Sequence, residues 1–365
     1  MGLRVKCQEY YHAPRANGSR KNWERLVSFS PEWIYWSDLC SLPLLNHWIN
    51  SWCEMNTQTL GCSDLVSSRL SYGCMRIAGT WNPAEITPER EVNARNALLS
   101  AYEAGYNLFD HADIYCRGGC EMLHGRLIAD SPDLRRATQI ATKCGIRFKG
   151  VPNPEDPGRY DFSKDWIIES CEGSLKRLQV ERIDLYQLHR PDILMNPLEV
   201  ADAFTQLHEQ GKVRWFGVSN FLPSHVDMLQ SVLKFPLIVN QVEVSLKRLD
   251  CFVDGTLDQC ISMRITPLSW SPLGGGMLGT AGQPREADLR NIALLKAIDA
   301  MAESKGVSRA VIALAFLLKH PSKIVPIVGS TKPESIKECT LAHSLELTRE
   351  DWYTLYIAAR GEPMP

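Results

Sequence analysis

Short apolar segments recur along the chain from about residue 70 to its end. They are short and enriched in apolar residues, and turn-forming residues separate them from the stretches that follow. Runs of this kind are typical of strands that are buried on both faces of a parallel sheet. The sequence predicts eight such strands, at residues 70–76, 106–109, 138–142, 183–188, 213–218, 237–242, 265–270 and 324–328.

The stretches between the predicted strands carry helix signals. Thr87 is placed to cap a helix that begins with Pro88, and Thr348 with Asp351 is placed to cap the last helix of the chain. Residues 309–319 are almost wholly apolar and indicate a further helix. Apolar residues share one helical face in two more segments, which contain Ile168, Cys171, Leu175 and Leu178 in the first and Val200, Phe204 and Leu207 in the second.

Strands that alternate with helices in this way fit two α/β architectures. One is the closed (β/α)8 TIM barrel, and the other is an open, doubly wound sheet. A dinucleotide-binding open sheet carries G-x-G-x-x-G between its first strand and first helix. The early glycines here lack that spacing, and the run Gly274-Gly275-Gly276 follows the seventh predicted strand. We therefore expect a barrel over residues 67–365, with the open sheet as the alternative.

The first 66 residues differ from the rest of the chain. They hold five of the ten tryptophans and show little periodicity. We treat residues 1–66 as an N-terminal extension of uncertain structure and unassigned role. Two hypotheses stay open for it: the extension recruits a partner, which is unknown, or it blocks the barrel.

Composition and charge exclude several classes of function. A chain of 365 residues is long enough for one β/α barrel, which needs roughly 250 residues. The net charge of −2 argues against a nucleic-acid partner. No apolar run approaches the roughly 20 residues that cross a bilayer, and no signal sequence is apparent, so we expect a cytoplasmic protein without a membrane partner. The twelve cysteines are scattered, which predicts free thiols.

Ionisable residues follow three neighbouring predicted strands, where the active site of a β/α barrel forms. Asp110 and Tyr115 follow the second strand, Lys143 the third and His189 the fourth. Hydride attack on a carbonyl leaves negative charge on oxygen, and a proton donor must lie within reach. We predict that Tyr115 is this donor and that the Lys143 ammonium, held by Asp110, lowers the pKa of the phenol. His189 would orient the carbonyl or share the proton.

Five motifs, spread from the second to the seventh predicted strand, carry a family resemblance. The runs GYNLFDHADIY, IATKCG, DLYQLHRPD, KVRWFGVSN and SWSPLGGGMLG occur in this order. Together they resemble the aldo-keto reductase family, and most closely its bacterial oxidoreductases with the His-Arg-Pro-Asp motif. The resemblance implies a β/α barrel that reduces aldehydes or ketones to alcohols with NADPH. The four catalytic residues of the family match Asp110, Tyr115, Lys143 and His189. The resemblance also implies that the substrate is a small carbonyl compound.

The resemblance also assigns residues to the nicotinamide end of the cofactor. Ser219, Asn220 and Gln241 would bond the nicotinamide amide, and Trp270 would stack on the ring. Residues of the first strand and of the glycine-rich run would line the ring and the pyrophosphate, where glycine lets backbone amides approach phosphate oxygens. These are Gly73, Met75 and Arg76 in the first group and Ser271, Pro272, Leu273 and Gly274 in the second.

A second group of residues matches the family's site for the adenosine 2′-phosphate. It opens the helix after the eighth strand and comprises Gly329, Ser330, Thr331, Lys332, Ser335 and Cys339. Ser335 stands where the family usually places a phosphate-binding arginine, and Cys339 where an asparagine often contacts adenine. Lys332 and Lys337 offer charge in compensation, but not a planar fork. We expect NADP as the cofactor, with NAD as the alternative.

Two other functions compete with carbonyl reduction. His111, Cys116, Cys120 and His124 lie close in sequence and are residue types that bind zinc, but their spacing lacks a close Cys-x2-Cys pair, so no metal is expected. The second alternative is a non-catalytic, nicotinamide-binding regulatory barrel subunit. The complete set of four catalytic residues favours the enzyme.

Overall fold

Eight parallel strands close into a barrel in the computed structural model, which describes residues 55–283 and 288–365. The strands are hydrogen-bonded in sequence order, and the last pairs with the first. They are β1 (Ser71–Gly73), β2 (Leu108–Asp110), β3 (Gln139–Cys144), β4 (Ile183–Leu188), β5 (Val213–Ser219), β6 (Leu237–Glu243), β7 (Thr266–Trp270) and β8 (Val325–Val328). The predicted barrel is confirmed, and the open sheet is excluded.

The first strand is shorter than its apolar run predicts. It ends at Gly73, which lies opposite Asp110 of β2, and residues Cys74–Arg76 form a 3-10 turn. A pattern of apolar residues indicates burial, and Cys74 is fully buried although it lies in the turn and not in the strand. Only pairing with the neighbouring strands fixes where β1 ends.

Helices cover the outside of the barrel and carry the predicted caps. The Thr87 side chain accepts a hydrogen bond from the Arg90 amide, and Thr348 and Asp351 form a reciprocal capping box. The helices are α1 (Pro88–Glu103), α2 (Gly119–Asp130), α3 (Pro132–Ala137), α4 (Lys164–Leu178), α5 (Pro197–Glu209), α6 (Pro223–Gln230), α7 (Thr256–Ser262), α8 (Leu289–Lys305), α9 (Arg309–Leu318), α10 (Pro333–Thr340) and α11 (Arg349–Arg360).

A β-hairpin, Thr57–Thr59 with Val66–Ser68, precedes β1. Its turn contributes Leu60 and Leu65, both fully buried in one cluster with the inward-facing apolar residues of the barrel strands. The Gly61 amide donates to the hydroxyl of Thr266, the first residue of β7, at 2.7 Å. The hairpin therefore closes the amino-terminal end of the barrel and leaves the other end for a site.

Several predictions concern the rest of the chain. Residues 1–54, and with them most of the predicted extension, lie outside the described residues, so the boundary at residue 67 stays a prediction. The nine cysteines in the described ranges are unpaired, as predicted. Within the same ranges, every helix is too short or too polar to serve as a bilayer crossing.

Candidate active site

The four predicted catalytic residues meet at the carboxyl ends of β2, β3 and β4. Asp110 is the last residue of β2, Lys143 lies near the end of β3, and His189 directly follows β4. Tyr115 opens the 3-10 turn Tyr115–Gly118 after β2. All four are at least nine-tenths buried, with exposures of 8% or less.

The Lys143 ammonium is the centre of this group. Its Nζ donates to both Asp110 carboxylate oxygens at 2.8 and 2.9 Å, and to the His111 carbonyl oxygen at 2.5 Å. The Tyr115 hydroxyl lies 3.3 Å from the same nitrogen. A fully buried ammonium is tolerated only when charge and hydrogen bonds compensate it. Burial alone would lower the pKa of Lys143, but Asp110 and then Tyr115 raise it above the usual value, so Lys143 stays charged.

Tyr115 keeps its proton more firmly than the sequence predicts. Burial raises the pKa of its phenol above the ordinary value, and this effect outweighs the neighbouring Lys143 ammonium, which lowers it. The direction that we predicted for the lysine is correct, but the net shift of the pKa is the opposite. Tyr115 is therefore a phenol, not a phenolate, at neutral pH, which is the form that can donate a proton.

His189 faces the Tyr115 ring edge-on. The two ring centroids lie 6.0 Å apart with the planes at 81°. Burial, followed by the charges of Lys143 and Arg190, lowers the pKa of His189 well below its usual range. The imidazole is therefore neutral at pH 7 and carries one N–H donor, which suits a hydrogen bond to a carbonyl oxygen.

A chain of hydrogen bonds joins the catalytic group to the residues predicted to bind the nicotinamide. Gln241 Nε2 donates to Asp110 Oδ1 at 2.8 Å, and the Ser219 hydroxyl donates to the Gln241 carbonyl oxygen at 2.8 Å. Asn220 Nδ2 donates to the Ser219 hydroxyl at 2.8 Å, and Trp270 Nε1 donates to Asn220 Oδ1 at 2.9 Å. These residues thus form one polar wall beside the Lys143–Asp110 pair.

The glycine-rich loop after β7 has the backbone that its sequence predicts. Ser271 and Gly274–Gly276 all have positive φ, between 50° and 101°. No heavy atom lies within 4 Å of the place where a Cβ of Gly275 or Gly276 would be. A loop with successive left-handed residues and open space above it can turn its amides toward an anion, so it fits a pyrophosphate. Pro272 and Leu273 lie within this loop, while Met75 and Arg76 lie exposed at the turn after β1.

Residues after β8 form the other predicted phosphate site. Gly329, Ser330, Thr331 and Lys332 connect β8 to α10, and the Lys332 amide donates to the Ser330 hydroxyl at 3.2 Å. Ser335 is half-buried on the first turn of α10. Cys339 is 2% exposed and packs into the hydrophobic core with Ile336 and Ala342, so its thiol presents almost no surface to a ligand.

A buried network of polar side chains, which the sequence analysis missed, lies beside Lys143 of β3. Glu121 of α2 is fully buried, and its two oxygens accept from the Thr142 hydroxyl at 2.6 Å and from Arg177 Nε at 2.7 Å. This buried network ties α2, β3 and α4 together next to the predicted catalytic residues. Glu121 lies on the buried face of α2, and a charged residue in such a position is the signal that would have found it.

The four residues weighed as a zinc site do not come together in the described residues. The potential ligand atoms that lie within 4.8 Å of one another there belong to Cys74, His111 and His124, without Cys116 or Cys120. His111 Nε2 and His124 Nδ1 are 2.8 Å apart and share a hydrogen bond between stacked rings. The two histidines therefore bind each other behind Asp110.

Comparison with known proteins fits this geometry. The model of the Aldo/keto reductase family matches residues 69–359. The chain belongs to the aldo/keto reductase family. It is 40% identical over 312 residues to a 6-dehydroglucose reductase of Novosphingobium aromaticivorans. This alignment covers 84% of this chain and 96% of that protein. It is 38% identical over 307 residues to the uncharacterized oxidoreductase YcsN of Bacillus subtilis, covering 83% of this chain and 97% of the relative.

Solved aldo-keto reductases share the architecture. The glycerol dehydrogenase AKR11B4 from Gluconobacter oxydans superposes with a TM-score of 0.73 at 26% identity, over 85% of this chain and 97% of that one. The thermostable aldo-keto reductase Tm1743 gives a TM-score of 0.71 at 25% identity, over 83% of this chain and all of that one. This aldo/keto reductase is therefore an oxidoreductase of a carbonyl-reducing family whose members use nicotinamide cofactors.

Proposed function

We propose that this protein reduces aldehydes or ketones to alcohols with NADPH and that Tyr115 is the general acid. The single observation that carries the proposal is the position of Lys143 Nζ, between the two Asp110 oxygens and the Tyr115 hydroxyl. A surface lysine would not be buried in this way. A purely structural ion pair would not need a phenol at its third position.

The four side chains divide the work on one oxygen atom. When bound, the nicotinamide supplies a hydride to the carbonyl carbon, which leaves negative charge on the carbonyl oxygen. Tyr115 donates its proton to that oxygen, and the Lys143 ammonium stabilises the phenolate that remains. Asp110 holds the ammonium in place, and the neutral His189 donates a hydrogen bond that orients the carbonyl.

The proposed cofactor contacts rest on the polar wall and the two loops described above. Ser219, Asn220 and Gln241 present amide and hydroxyl groups that match a carboxamide, and Trp270 would stack on the nicotinamide with the ring face that Arg190 does not cover. The Ser271–Gly274 part of the glycine-rich loop fits the pyrophosphate, and Gly73, the last residue of β1, would lie at the edge of the site. These assignments extend the family resemblance to positions of this chain.

NADPH is proposed over NADH because of the residues that open α10. Ser330, Thr331 and the exposed Lys332 precede Pro333, the first residue of the helix, where amides and charge favour a phosphate. Ser335 supplies a hydroxyl and no charge at the position where an arginine is usual in the family. The preference for NADPH is therefore expected to be modest.

The experiment is a panel of aldehydes and ketones with NADPH and with NADH, followed by the absorbance of the reduced cofactor. We expect kcat/KM to be higher with NADPH. The Tyr115→Phe variant should lose at least about a hundredfold in kcat and still bind NADPH, because it removes only the proton donor. Tyr102→Phe is the matched control, since Tyr102 lies on the surface of α1 and is 38% exposed.

Three outcomes would contradict parts of the proposal. Undiminished turnover by Tyr115→Phe would remove the tyrosine from its role. A kcat/KM ratio of NADPH to NADH below one would reverse the cofactor preference. Tight NADPH binding without turnover of any carbonyl compound would instead support the non-catalytic regulatory subunit.

A further inference from the structure

Two arginine side chains lie on aromatic faces at the mouth of the barrel. Arg190 directly follows His189, and its Cζ lies 5.2 Å from the centroid of the Trp270 ring. Arg117 lies two residues after Tyr115, and its Cζ is 4.3 Å from the centroid of the Phe148 ring. Arg117 therefore lies on the same loop as Tyr115, and Arg190 lies on the same loop as His189. The rings of Tyr115 and His189 face each other at the proposed reaction site.

Three carboxylates at the carboxyl ends of the strands already have partners. Asp110 is paired with Lys143, and Asp192 accepts from the backbone amides of Phe162 and Leu194 at 3.0 and 2.9 Å. Glu243, at the end of β6, lies 3.8 Å from Arg248. The ion pairs among the described residues thus neutralise Lys143 but include neither Arg117 nor Arg190.

A guanidinium that lies over an aromatic ring can still bind an anion. The ring attracts its positive charge without accepting its five N–H donors, which lie in the plane of the group. A planar pair of N–H groups matches the two oxygens of a carboxylate or phosphate. Because Arg190 is half-buried, its charge is also screened less than that of an ordinary surface arginine.

Resting on the proposed function, we propose that Arg190, with Arg117 as a second cation, selects carbonyl substrates that carry an oxyanion group. The shared chemistry of the preferred substrates is a carboxylate or phosphate attached to the molecule that bears the carbonyl. Arg190 is the specificity-determining residue in this proposal, because it adjoins His189. The two positive charges also draw anionic substrates toward the mouth.

The test compares aromatic aldehydes whose para substituent is either anionic or neutral. These are 4-carboxybenzaldehyde, its neutral methyl ester and 4-formylphenyl phosphate, each reduced with NADPH by the full chain. The readout is kcat/KM for each anionic aldehyde divided by kcat/KM for the ester. We expect a ratio above about ten for at least one anion, which is the usual worth of one hydrogen bond to a charged group. The two anions distinguish a carboxylate site from a phosphate site.

Three variants assign this ratio to Arg190. Arg190→Met removes charge and donors and should lower the ratio about tenfold or more. Arg190→Lys keeps the charge but loses the planar fork, so it should lower the ratio by less. Arg349→Met is the matched control, because the Arg349 guanidinium also lies over an aromatic ring, at 5.3 Å from that of Tyr353 on α11. It should leave the ratio as in the wild type.

The outcomes separate this inference from the function on which it rests. A wild-type ratio near one overturns the inference while the ester is still reduced. Equal losses for the ester and the anions in Arg190→Met also overturn it, because they indicate a role unrelated to charge. No turnover of any aldehyde, the ester included, overturns the proposed function and this inference with it.

Discussion

His111 and His124 show how a single buried pair links proton binding to stability. Burial lowers the pKa of both imidazoles, that of His124 to about 3, whereas an unfolded histidine titrates near about 6.5. Between these values the unfolded chain binds a proton that the folded chain refuses. Stability is therefore present near neutral pH and is lost as the pH falls below about 6.5.

A histidine substitution tests this linkage. His124→Gln removes one of the two groups, so the free energy of unfolding should fall less steeply between about pH 6.5 and pH 5 than in the wild type. The two slopes should differ by up to about 1.4 kcal/mol per pH unit. Urea denaturation at several pH values measures the slope. His208→Gln, on the exposed surface of α5, is the control and should keep the wild-type slope. Parallel slopes for wild type and His124→Gln would contradict the linkage.

At the scale of elements, the contact between α2 and α4 depends on one glycine. A Cβ at Gly125 of α2 would lie 2.3 Å from the Arg177 carbonyl oxygen and 2.8 Å from the Leu178 carbonyl carbon at the end of α4. Both neighbours are backbone atoms and have little room to move. The close approach also brings Arg177 within reach of the buried Glu121.

We expect Gly125→Ala to destabilise the protein by about 1–3 kcal/mol, because overpacking exceeds the gain in helix propensity. Gly173→Ala is the matched control in α4. A Cβ there meets only the far end of the Arg177 side chain, at 3.0 Å. Its stability should change by about 1 kcal/mol or less. Denaturant midpoints of the two variants make the comparison, and equal midpoints would show that the α2–α4 approach is not limiting.

At the scale of the whole molecule, the hairpin that precedes β1 stabilises the barrel by closing its amino-terminal end. Leu60 is fully buried against residues from several strands, so Leu60→Ala should cost about 2–5 kcal/mol. Val66 belongs to the same hairpin but is 44% exposed, and Val66→Ala should change stability by about 0.5 kcal/mol or less. Calorimetric or urea unfolding distinguishes the two. Similar losses of stability in Leu60→Ala and Val66→Ala would contradict the prediction, because they would show that burial of Leu60 is not the cause of its loss.

The sequence by itself determined the barrel and the identity of the four residues at its mouth. Parallel strands all end on one side of a barrel, so ionisable residues that follow neighbouring apolar runs must converge there. Asp110, Tyr115, Lys143 and His189 became predictable for that reason.

Only the tertiary structure decided what surrounds those residues. The net pKa of Tyr115 depends on how deeply neighbouring elements bury it, and the pairing of Glu121 with Arg177 joins residues 56 positions apart. The core position of Cys339 and the position of Arg190 over the Trp270 ring likewise arise from packing between distant segments. Strand-end positions follow from local periodicity, whereas burial and contact across the barrel are properties of the assembled chain.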